Sequence, residues 1–110
     1  MSINSRTKGK VGEREFAKFL RDRGFQARRG QQFSGGNTSP DVISNIPNIH
    51  WEIKRVQNLN IDKAMAQAIK DADGKIPVVA HRKNNKDWLI TISADAFLHY
   101  VELSNYNKVL

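Results

Sequence analysis

The apolar residues of this chain change period as it runs, and the order of the changes predicts an architecture. Over about Lys8 to Arg23, Phe16, Ala17, Phe19 and Leu20 form a stripe at helical spacing with Arg, Lys and Glu filling the other positions. Gly24 is placed to close that helix, because glycine accepts the left-handed conformation. Phe25-Gln26-Ala27-Arg28 alternates as a first strand, and Gly30 to Ser39 is a polar Gly/Ser/Gln/Asn loop. Asp41 to Ser44 is a short strand stopped by Asn45 and Pro47. Ile49 to Arg55 alternates, with Ile49, Trp51 and Ile53 on one face and His50, Glu52 and Lys54 on the other. From about Ile61 to Ala72 the residues Ile61, Ala64, Met65, Ala68, Ile69 and Ala72 mark a second helical stripe, ended by Gly74. Ile76–Ala80 and Trp88–Ile92 read as strands around the polar turn 83–86, and Ser93 can cap a last helix through about Leu103. Helix, three strands, helix, two strands, helix packs most economically as a sheet flanked by helices, an α/β fold.

Length and composition narrow this picture. A chain of 110 residues has room for one modest core, and nothing divides it, so residues 1–110 read as a single domain. It has no cysteine, which excludes disulfides and thiolate metal sites and suits a reducing compartment. The N-terminus carries no long apolar run, so neither a signal peptide nor a membrane span is expected, and a cytoplasmic location is, the host's if the chain is phage-encoded.

Charge adds a partner. Nine Lys/Arg against three acids fall within the first thirty residues, giving that segment +6, while the remaining eighty carry +1 of the total +7. The block includes Lys8, Lys10, Arg14, Arg28 and Arg29. A basic block beside a near-neutral body is the footprint of a phosphate-bearing partner, nucleic acid first and an anionic membrane second; a cationic face serving solubility is the plain alternative.

The candidate chemistry lies in Pro40-Asp41 and Trp51-Glu52-Ile53-Lys54. Alternation puts Glu52 and Lys54 on one face of a strand, about 7 Å apart, and Asp41 opens the strand before it. Asp41 and Glu52 offer hard oxygen ligands suited to Mg²⁺ or Mn²⁺, and the Ile53 carbonyl can add another. Such a metal acidifies a water and holds a phosphate, while Lys54 orients the water or steadies developing charge. Glu-x-Lys arises by chance in roughly one of three chains of this length; a same-face ion pair on a strand edge is the structural alternative. Glu13 changes the balance, because it lies in register with Phe16, Ala17 and Leu20, where a carboxylate needs a cation, a metal or hydrogen bonds. A place near the helix N-terminus, where the dipole favours an acid, also accounts for it. Gln67 suits an exposed helix position or a site. His50, His81 and His99 lack metal-ligand spacing; His50 reads as an ordinary surface residue or a neighbour of Glu52. No glycine pattern cradles a nucleotide.

Lys8-Gly9-Lys10-Val11-Gly12-Glu13-Arg14-Glu15-Phe16, followed by Leu20-Arg21-Asp22-Arg23-Gly24-Phe25, resembles the opening of the archaeal-type Holliday-junction resolvases, a family of the PD-(D/E)XK nuclease superfamily. Pro40-Asp41, Glu52-Ile53-Lys54 and Gln67 follow in the family's order, so the likeness runs over roughly residues 8–70. It implies a restriction endonuclease-like core with a central mixed five-stranded sheet flanked by helices. It implies a Mg²⁺-dependent endodeoxyribonuclease, with Mn²⁺ as substitute, that hydrolyses four-way junctions with a metal-activated water. Glu13, Asp41 and Glu52 would serve the metal, together with Ile53, Lys54 the reaction and Gln67 positioning. Arg28, Arg29, Gln31, Gln32, Ser34 and Gly35 would engage branched DNA from the flexible loop and its flanks, and symmetric incision implies a homodimer. Same-fold nucleases of the VRR type, acting on flaps or bubbles, and a catalytically inert DNA-binding module are the alternatives.

Overall fold

The computed structural model describes residues 5–30 and 40–109, with side chains from residue 9 onward. Its elements are α1 (Ser5–Arg21), β1 (Ala27–Arg29), β2 (Val42–Ser44), β3 (Ile49–Arg55), α2 (Ile61–Asp71), β4 (Ile76–Arg82), β5 (Leu89–Thr91) and α3 (Ala94–Leu103). The five strands form one sheet in chain order, β1-β2-β3-β4-β5, antiparallel at every pairing except the parallel β3–β4. This is the mixed five-stranded α/β sheet expected. Boundaries move by a few residues: β1 starts at Ala27 because Phe25 N still bonds back to Leu20 O and Gln26 N is taken by Asn45 Oδ1. Gly24 closes α1 at φ 93°.

The two helical stripes go to opposite faces of the sheet. Phe16, Ala17 and Leu20 of α1 bury against Val42, Trp51, Ile53, Val78 and Ala80. Phe16 is the hub, with its ring centroid 4.9 Å from those of both Trp51 and Trp88; such ring pairs add about 0.5–1.5 kcal/mol beyond burial. Ala64 and Ala68 of α2 pack on Val79 across the other face. Asn60 caps α2 by accepting from Lys63 N, and Ser93 caps α3 through Ala96 N.

Two surface assignments reverse. His50 is 1% exposed, because α2 covers the face of β3 that carries it, and burial lowers its pKa. Ile69, counted in the second stripe, is 61% exposed. The small Ala64 and Ala68 already bring α2 down onto the sheet, and Ile69 stands off their line.

α3 is the least integrated element. Tyr100 Oη donates to Pro47 O at 2.8 Å, while Phe97, Leu98 and Leu103 of α3 and Leu89 and Ile90 of β5 are exposed. Among the described residues no helix is long and apolar enough to cross a membrane.

Candidate active site

Asp41 is carried to β3 by its own hydrogen bonds. Its backbone N–H donates to Trp51 O and its Oδ2 accepts from Ile53 N, each at 2.9 Å. The carboxylate is therefore stitched to the strand that bears Glu52, and the two carboxyls are near enough for the charge of Asp41 to raise Glu52. Glu52 is 5% exposed under α2. Burial and the charge of Asp41 push its carboxyl up to about 7; Lys54 opposes them. Burial also raises Asp41, although the Ile53 N–H pulls the other way. A buried carboxyl beside a partly buried one favours a proton or a cation between them.

Lys54 leans to both sides of this pair. Its Nζ lies 3.8 Å from Glu52 Oε1 and donates to Gln67 Oε1 of α2 at 3.2 Å. Gln67 therefore orients the ammonium beside the acids.

Glu13 reaches the same region from α1. It is 7% exposed, and its pKa is raised by burial and by Asp41, against the pull of Arg29 and Lys10. Arg29 Nε stands 3.6 Å from Glu13 Oε2, too far for a hydrogen bond, and this buried N–H finds no other partner among the described residues. Close packing places α1: a Cβ on Gly12 would lie 3.0 Å from Arg55 Cβ, so glycine lets the helix approach β3 one residue before Glu13. A second close approach sits at Gly30. Its N–H donates to Asp41 O at 2.9 Å, and a Cβ there would collide with the Pro40 carbonyl.

Lys10 and Arg14 are exposed on α1, as is Arg28 on β1, where it stands opposite Ile43. Arg29, also expected on DNA, is partly buried and lies 3.6 Å from Glu13. The side chain of Lys8 and all of Gln31, Gln32, Ser34 and Gly35 lie outside the described residues.

The donor set suits a hard divalent cation: oxygen ligands, buried, mutually repelling and raised in pKa. Among the described residues, no three His, Asp or Glu side chains gather into a complete ligand set. The Asp41–Glu52 pair is the core around which one would close.

Sequence reasoning missed a network on the other side of β3. Glu15 of α1 takes Arg55 Nε at 3.1 Å and also Arg82 Nη1. Arg55 Nη1 reaches Asn84 Oδ1, and Asn84 N donates to Gln57 Oε1, each at 2.5 Å. Arg55 adjoins Lys54 and Glu15 follows Glu13 by two, so proximity to the motif was the available signal.

The family model of archaeal Holliday junction resolvases (Hjc) matches residues 4–107. The chain belongs to the archaeal Holliday junction resolvase family. That membership identifies it as a nuclease of the Holliday junction resolvase kind, and the match extends through β4, β5 and α3, well past the segment whose motifs carry the resemblance. The fold agrees. The 1.6 Å structure of Hjc from Archaeoglobus fulgidus, a Holliday junction resolvase from an archaeal hyperthermophile, superposes with a TM-score of 0.55. It is 24% identical over 77% of this chain and 72% of that one. No curated protein matches the chain in sequence.

Proposed function

We propose that residues 1–110 form a single nuclease domain, a divalent-cation-dependent resolvase that hydrolyses four-way DNA junctions in the cytoplasm and works as a homodimer. The observation that carries the reading is the Asp41–Glu52 pair, Asp41 bonded to the Ile53 N–H and Glu52 buried beside a lysine that Gln67 holds in place. Asp41, Glu52 and the Ile53 carbonyl would hold Mg²⁺, or Mn²⁺ in its place, with Glu13 as a further carboxylate. The bound cation supplies acidity to an attacking water and positive charge beside the scissile phosphate. Lys54 adds charge where the leaving and non-bridging oxygens become more negative, and Gln67 fixes its direction. Arg29 keeps Glu13 paired in the metal-free protein. Lys8, Lys10, Arg14 and Arg28, with Gln31, Gln32, Ser34 and Gly35, would meet phosphates around the junction. The apolar surface of α3 and β5 supports pairing with a second copy, which gives the two active sites that symmetric incision requires.

A cleavage panel tests this. Matched four-way junction, flap and linear duplex are incubated with protein and Mg²⁺, and products are mapped on each strand. Paired symmetric nicks confined to the junction are expected, and both Asp41→Asn and Glu52→Gln should abolish them while binding survives. Preferential cutting of the flap would overturn the reading in favour of a same-fold nuclease, and tight binding without any cutting would leave an inert DNA-binding module.

A further inference from the structure

The catalytic face does not end at Lys54. In the parallel β3–β4 register Lys54 stands beside His81, and past them the strand ends open into a cleft of about 960 Å³. Asn58 and Asn60 line it from the β3–α2 connection, and Arg82, Lys83 and Lys86 from β4 and the turn after it. Asp87 is the one acid among the described lining residues.

This cleft has a built frame. Glu15 is shared by Arg55 and Arg82, so two guanidiniums share one carboxylate and one positive charge is left over. Arg82 Nε donates to Lys86 O, and the Arg55–Asn84–Gln57 chain ties the turn after β4 to the connection after β3. The frame fixes the backbone beneath Lys83 and Lys86, whose side chains are exposed and enter no ion pair among the described residues. One fixed guanidinium, two ammoniums that enter no ion pair among the described residues and the side-chain amides, set beside the apolar Leu59, Ile61 and Leu89, outnumber the single acid and suit an extended polyanion.

We infer that this strand-end cleft is a second phosphate-binding surface, which grips the DNA backbone of a junction arm beyond the cut. The inference rests on the nuclease reading for the direction in which DNA leaves the site. Val79 is the register partner of Glu52, and Lys83 lies four residues further on, about 13 Å along the strand. At about 3.4 Å of axial rise per nucleotide the grip falls on the order of four nucleotides from the scissile phosphate. Arg82 and Glu15 hold the frame, while Lys83 and Lys86 make the contact.

The test is a titration of fluorescent four-way junction and linear duplex with wild-type protein and the Lys83→Ala/Lys86→Ala double variant, in chelator and across a range of salt. The double variant should bind about tenfold more weakly, with a log–log salt slope shallower by about 2, as loss of two phosphate contacts dictates. Lys83→Arg/Lys86→Arg should keep both values. Unchanged affinity and slope in the alanine variant would overturn the inference; if wild type still prefers the junction, the resolvase reading survives that result. If the alanine variant weakens on junction and duplex alike while wild type shows no junction preference, the cleft stands and junction selectivity falls.

Discussion

Glu13 and Glu15 are two residues apart on one helix and end in opposite surroundings. Glu13 is buried against Asp41, with a guanidinium just out of hydrogen-bond reach, and its carboxyl is pushed up. Glu15 is half-buried between Arg55 and Arg82, within bonding distance of both. Deeper burial is the larger cause at Glu13, and the company of Asp41 adds to it. The Glu15 network joins α1 to β3 and β4 and holds the architecture. The Glu13–Asp41–Glu52 side gathers like charges and lowers the stability of the metal-free fold. A carboxylate group arranged at a cost to stability is what a cation site needs, since the repulsion becomes binding energy once a cation is present.

Replacing the groups on the two sides should therefore act in opposite directions, and four substitutions sharpen or break that contrast. The largest effect is expected at Lys54. Lys54→Ala should slow single-turnover junction cleavage by about 10²–10³-fold, as for other groups aimed at developing charge, with binding retained; a loss under fivefold would remove Lys54 from the reaction. Next comes Glu52. Its carboxyl is raised from 4.5 to about 7 in the fold, a difference of about 3 kcal/mol between protonation states. The stability tied to that proton is full below pH 4.5 and is lost as pH rises through about 7. In chelator at pH 8, Glu52→Gln should thus be more stable than wild type by up to about 3 kcal/mol, with the gap closing toward pH 4.5. Urea unfolding at both pH values reads it, and a destabilised variant at pH 8 would contradict the contrast. Glu15→Ala should do the reverse and lower stability by about 2 kcal/mol at neutral pH, because two half-buried guanidiniums lose their shared partner. The smallest effect belongs to Gln67. Gln67→Ala should slow cleavage about tenfold on its own and add nothing to Lys54→Ala, the signature of a residue that works through the lysine.

Much of this was legible from local patterns. Phe16, Ala17 and Leu20 announce a buried helix face, and alternation from Ile49 to Arg55 sorts Trp51 and Ile53 from Glu52 and Lys54. What alternation does not say is whether the second face is covered. Hence His50 reads as a surface residue, although α2 closes over it. Helical period placed Ile69 in the stripe, but alanines at Ala64 and Ala68 set how close the helix lies, and their contact line excludes it. The Glu15–Arg82 pair spans 67 residues, a separation at which no periodicity or spacing rule operates. The acids, the lysine and Gln67 were read largely through family likeness. Geometry adds how they are joined: Asp41 bonded to the backbone of β3, Gln67 to the ammonium of Lys54.

Gly30 and Pro40 close against each other, with Gly30 N bonded to Asp41 O. Gly30 and Pro40 thus meet at one fastened point beside the acid that follows. For the engineer, this makes the Gly30–Pro40 junction a graft site: a foreign segment spliced between those two residues should leave Asp41 aimed as it is.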